Sequence, residues 1–152
     1  MSDILLTVSA AALAIFLGAM LTEGFVLVPF WRSLTPNEFF AWYEANDRRL
    51  LAFFSPLTGA TAFLTIAAAL VALLAGHPGG WLAAAAAALA VSVVAMFPLY
   101  FKRANAGFAD RSIGADRLAA ELERWARWHW ARTAISGAAL VAAFWAIRAC
   151  SR

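Results

Sequence analysis

Charge and cysteine are what this sequence has least of. Only 14% of its 152 residues are Asp, Glu, Lys or Arg, whereas soluble domains carry about a quarter. The one cysteine, Cys150, cannot close an internal disulfide, so it is either incidental or a link between chains. There are two histidines, His77 and His129, and no Cys/His cluster at zinc spacing. No glycine loop suited to phosphate, no paired-carboxylate hydrolase pattern, no Ser/His/Asp set and no internal repeat is present. The net charge of +3 is small, and the basic residues flank apolar runs, which argues against nucleic acid as a partner.

What is there instead is apolar length: 64% of the residues are hydrophobic. A helix needs about 20 mainly apolar residues to cross the roughly 30 Å of bilayer hydrocarbon. Four segments meet that need, at about 4–31, 50–75, 81–101 and 127–147. The expected fold is an all-α integral membrane four-helix bundle, one domain over 1–152, with membrane lipids as its surroundings. Ser2 and Asp3 stand where a basic n-region would, and the first apolar run extends to Trp31. It therefore reads as a retained span rather than a cleaved signal. Gly76-His77-Pro78-Gly79-Gly80 reads as a tight turn, and the alanine run at 83–90 as a close-packing helix face. The seven tryptophans fall mostly near span ends, as an interfacial belt would.

The two long loops carry most of the cations: Arg32, Arg48 and Arg49 in one, and Lys102, Arg103, Arg111, Arg117, Arg124 and Arg127 in the other. Arg148 and Arg152 are the cations near the opposite end. The positive-inside rule places both loops in the cytoplasm and both termini outside, in a bacterial inner membrane. Both loops carry short helical extensions. Thr35-Pro36-Asn37-Glu38 has N-cap chemistry. Phe39, Phe40, Trp42 and Tyr43 then suit an interfacial amphipathic segment, and 112–127 extends the fourth span.

Ionisable groups inside a membrane are expensive and usually face the protein interior. Trp125, His129, Arg132 and Ser136 are spaced four, three and four apart, so they share one face of the last helix. Glu23 lies eight residues before Trp31, about 12 Å along the helix, and Arg132 seven after Trp125, about 10 Å. The two are level and able to pair. Thr58, Thr61 and Thr65 give the second span a polar face, and Ser92, Met96 and Tyr100 do so on the third. One polar pocket among the loop-side halves of the helices accounts for all four sets. Two readings stand for Glu23, His129 and Arg132: a structural pair that fixes helix register, or a site that binds a lipophilic small molecule. The serines and threonines also suit packing by backbone hydrogen bonds. The small residues Ala10, Ala14 and Gly18 form a stripe on the first span that faces either a neighbouring helix or another subunit.

The motif Trp125-x-x-x-His129-x-x-Arg132-Thr133 resembles the signature of the anthrone-oxygenase-like family, a domain-of-unknown-function family of small four-span membrane proteins. Glu23-Gly24 followed by Pro29 resembles its first-span pattern. Pro98 and Asn105 resemble its Pro-x-Asn region, although the spacing is longer here, which leaves Asn105 without a role. The resemblance implies an oxidoreductase acting on a lipophilic aromatic or quinone-like substrate. It would make His129 a general base or metal ligand, Arg132 the stabiliser of an enolate-like anion, and Glu23 an orienting group or acid. Tyr100, Trp125 and Trp128 would form an aromatic wall, beside Thr58 and Thr61. The cofactor stays open. One His and one Glu are too few for a three-ligand metal site, and haem would have His129 alone. Two other classes remain: a lipid- or hydrophobe-binding accessory protein, and a small transporter, which the lack of inverted repeats disfavours. Oligomeric state is not legible.

Overall fold

Where apolar runs persist, the backbone has no water to bond to, so it closes its hydrogen bonds within helices. The computed structural model describes residues 1–149, and Cys150 and Arg152 lie outside the described residues. Four helices long and apolar enough to cross a membrane make up the chain: α1 (Ser2–Ser33), α2 (Pro36–Leu74), α3 (Gly80–Ala109) and α4 (Ala115–Arg148). Each packs against its two neighbours in the order α1, α2, α3, α4 and back to α1, and the diagonal pairs barely touch. The result is an antiparallel up-and-down bundle.

Three short connections set this topology. Residues 34–35 turn α1 into α2, where Pro36 opens the helix and the Thr35 N–H donates to Glu38 Oε2 at 2.8 Å. The 75–79 turn uses Gly76 at φ +63°, a conformation that costs glycine little. The 110–114 turn has Arg111 and Gly114 at φ near +60°. There Asp110 Oδ1 accepts the Ser112 N–H at 2.9 Å, and Ser112 holds that carboxyl below the usual aspartate range.

The loop extensions differ from an interfacial layer. Residues 36–49 form no separate segment but continue straight into the second span as one 39-residue helix. Phe39, Phe40 and Tyr43 are buried, packed with Trp31, Phe101, Phe108, Leu118 and Trp125. The reason is geometric: the helix runs on through Pro56 without a break, and the aromatics repeat on the face that meets α1, α3 and α4. Trp31 and Trp125 likewise leave the expected belt and are 1% and 2% exposed, whereas Trp81 and Trp145 are exposed as a belt requires.

Two helices carry a wide π-helical turn, Glu23–Leu27 in α1 and Phe97–Phe101 in α3. Pro29 follows the first closely, and Pro98 is the second residue of the other. Proline has no N–H to give the preceding turn. The hydrogen-bond register slips by one residue: Val28 N–H reaches Glu23 O, and Lys102 N–H reaches Phe97 O. Such turns occur often at functional sites.

Candidate functional site

Glu23 sits at the first π-helical turn and Arg132 on the facing turn of α4. Arg132 Nη2 donates to Glu23 Oε2 at 2.8 Å. Glu23 is 4% exposed and His129 0%, so this is an ion pair held away from water. The same Nη2 lies 2.9 Å from His129 Nδ1, and Arg132 Nε 3.3 Å from it. His129 Nε2 is 2.9 Å from the Met20 carbonyl oxygen on α1. A carbonyl can only accept, so Nε2 carries the proton and Nδ1 receives the arginine. His129 is thus a neutral brace between α1 and the guanidinium. Its ring stacks on Trp125 at 5.2 Å and 7°.

Gly24 makes this contact possible. A Cβ there would stand 3.0 Å from His129 Nε2 and 2.9 Å from Trp130 Cζ2, tighter than side chains allow. The guanidinium is also covered: Arg132 Cζ lies 4.1 Å from the Phe101 ring centroid and 5.4 Å from that of Trp125. These aromatic faces stabilise a desolvated cation. Trp125 is fixed in turn by Asn105, whose Oδ1 accepts the indole N–H at 2.9 Å. Arg132 Nε and Nη2 are therefore engaged, and Nη1 makes no hydrogen bond among the described residues.

A cavity of about 620 Å³ reaches this group between α2 and α3. Glu23, Arg132 and Trp125 form its inner wall, and Thr58, Tyr43, Asp47, Lys102 and Asn105 also line it. The volume falls in the range of small-molecule sites.

The sequence-derived site residues divide accordingly. Glu23, Arg132, Trp125 and Thr58 come together on the cavity. His129 stands behind Arg132, away from the lining. Tyr100 and Trp128 stack on each other at 5.0 Å and 9°, and the Tyr100 hydroxyl donates to Glu121 at 2.6 Å. They line a separate groove that also holds Arg103, Arg117 and Arg124. Thr61 is buried and its hydroxyl approaches the Ala12 carbonyl on α1 at 3.5 Å. Thr58, Thr65 and Ser136 donate to backbone carbonyls of their own helices, as packing residues do. Asn105 is the residue that sequence reasoning set aside. Its polar side chain three residues before the buried Phe108 was the available signal. Tyr43 and Trp31, read as interfacial, also reach the cavity.

No group of three or more His, Cys, Asp and Glu side chains that could hold a metal ion occurs among the described residues. Both nitrogens of His129 are already engaged, so the residues present do not fit a haem iron at that position.

The sequence model of the family described as anthrone oxygenase matches residues 39–142, more than half of the chain. The match takes in Asn105, Trp125, His129 and Arg132, while Glu23 and Trp31 lie before it. No curated protein and no solved structure matches.

Proposed function

The chain belongs to the anthrone oxygenase family, and from that premise we propose that it oxidises a lipophilic aromatic substrate of the anthrone type at the Glu23–Arg132 pair. The reaction takes the ring methylene that lies across the central ring from the carbonyl to a second carbonyl. Dioxygen is the oxidant: one oxygen atom stays on carbon, and the other leaves as water with the two methylene hydrogens. Loss of the first proton moves negative charge onto the carbonyl oxygen.

The observation that carries this reading is the state of Arg132. Its guanidinium is clamped by Glu23 and His129, desolvated by Phe101 and Trp125, and on the cavity wall with Nη1 unengaged. A fixed, largely buried cation stabilises an oxyanion far better than one in water. Arg132 holds the substrate oxygen where charge develops. Glu23, on the same wall, receives the methylene proton. His129 is a positioning residue, which keeps Arg132 aimed and has no ring nitrogen for substrate. In the membrane, the two loop-bearing ends face the cytoplasm, as the distribution of arginines favours.

The test is oxidation of anthrone by the protein in lipid nanodiscs, followed by dioxygen uptake and anthraquinone absorbance above the uncatalysed rate. Arg132→Gln is expected to lower kcat/KM about 10²–10³-fold. His129→Ala is expected to lower it less and to be partly restored by His129→Asn. An activity equal in the parent and Arg132→Gln would defeat the proposal. No oxidation above the uncatalysed rate in the parent would leave a non-catalytic hydrophobe-binding protein, a reading that the apolar lining of the cavity favours next.

A further inference from the structure

The cavity is not closed toward lipid. Glu23, Trp31, Trp125 and Phe16 at its inner side are buried, but Leu51, Ser55, Gly59, Val94, Phe97 and Pro98, which also line it, are exposed. The exposed six lie in the apolar runs of α2 and α3, the stretches long and apolar enough to cross a membrane. On α2 the three follow spacings of four, one face of the helix. A Cβ at Gly59 would meet nothing within 4 Å.

The seam between these helices has a reason to part here. α2 packs against Gly80–Met96 and against Lys102–Ala109 of α3, but scarcely on the π-helical turn between. Pro98 causes that turn by withholding an N–H. At the loop end, Trp31, Phe39, Tyr43 and Phe108 form a buried aromatic plug, and Asp47 and Lys102 mark where the cavity lining becomes charged.

We propose that the gap between α2 and α3 at Gly59 and Phe97–Pro98 is a lateral portal, through which a bilayer-dissolved planar aromatic molecule reaches Arg132 without crossing water. The occupant is argued from both ends of the cleft. Its mouth is apolar and lies in hydrocarbon, which selects a molecule already partitioned there. Its inner end is a desolvated guanidinium beside two aromatic faces, which suits a flat ring bearing an acceptor oxygen and not an acyl chain. The proposal gives the site of the preceding section its route of access, and so rests on that reading for the identity of the substrate.

Two experiments separate the route from the reaction. The first narrows the mouth with Gly59→Trp, using Gly18→Trp, also in open space but on α1 and away from the cavity, as the control. With anthrone supplied in nanodiscs, Gly59→Trp is expected to raise KM about tenfold with kcat held, and Gly18→Trp to change neither. The second needs no turnover. Trp125 is 2% exposed, so a lipophilic carbene probe, 3-trifluoromethyl-3-phenyldiazirine, can label it only from within the cavity. Photolabelling of the Trp125 peptide, read by mass spectrometry, is expected in the parent and in Gly18→Trp and lost in Gly59→Trp. Leu51→Trp, on the same rim, gives the same loss if Gly59→Trp does not fold. Equal labelling of Trp125 in the parent and both rim variants overturns the portal, even if anthrone is oxidised. Phospholipid that copurifies in the cleft and resists displacement by the probe overturns it as well. Labelling that follows the rim in a protein that does not oxidise anthrone upholds the portal and refutes the reaction instead.

Discussion

The two halves of the bundle are built from opposite materials. Toward the termini the core is alanine: Ala68, Ala69, Ala72, Ala83, Ala86, Ala139, Ala143 and Ala146 are buried, with Leu6 and Leu13 as the large side chains among them. Toward the long loops it is Trp31, Phe39, Tyr43, Phe101, Phe108 and Trp125. Small residues let backbones approach and gain dispersion contact along their whole length. Gly79 shows how far this goes, since a Cβ there would lie 2.1 Å from the Ala146 carbonyl oxygen. Large rings hold helices apart, and space remains between them. The cavity, the buried ion pair and both π-helical turns lie in the aromatic half. One half fixes the bundle, and the other has room to bind.

The sharpest way to break this comparison is Arg132→Leu. It strands Glu23 in the aromatic half and is expected to cost about 3–5 kcal/mol in detergent unfolding. Glu23→Gln in the same chain should recover much of that loss. Simple additivity of the two changes would mean that the pair does not hold the helices together.

Next come two glycines, one per half. Gly79→Ala drives a methyl into backbone that cannot swing aside, and is expected to cost about 1–3 kcal/mol or more while leaving the activity of each folded molecule unchanged. Gly24→Ala meets side chains, His129 and Trp130, which can move. It is expected to destabilise less and to lower kcat/KM by displacing the brace behind Arg132. If both act only on stability, the division of labour between the halves is wrong.

A smaller effect is expected from Asn105→Leu, which leaves the Trp125 N–H without its acceptor at a cost of about 1–3 kcal/mol. Chemical unfolding against the parent reads it directly. The smallest is Arg111→Gln at the rim. Arg111 and Glu44 are 2.8 Å apart and both about half exposed, so the pair contributes about 0–1 kcal/mol, less at high salt.

Much of this was legible without the fold. Hydropathy is a local property, and span length is fixed by bilayer thickness, so the four spans followed from the apolar runs, whereas the shortness of the 34–35 and 110–114 turns did not. The level of Glu23 with Arg132 followed from counting residues inward. The faces were harder. A face assumed from 3.6-residue periodicity put Ser92, Met96 and Tyr100 in line. The π-helical turn at Phe97–Phe101 adds a residue to the turn, so Phe101 takes the buried position five residues after Met96. Tyr100 is rotated outward to Trp128 and Glu121. The loop aromatics were misplaced for a related reason. Interfacial anchor and buried cluster have the same composition, and only the partners on α1, α3 and α4 distinguish them.

The sequence by itself determined a four-span membrane bundle with a carboxylate, an arginine and a histidine at one depth, because burial energy and helix rise act residue by residue along the chain. The tertiary structure decided the rest. It set Arg132 on the cavity with His129 behind it, gave Asn105 its indole, turned Tyr100 away, and left the α2–α3 seam open beside Pro98. Those outcomes depend on how each helix is rotated against its neighbours, and rotation is set by contacts between residues far apart in the chain.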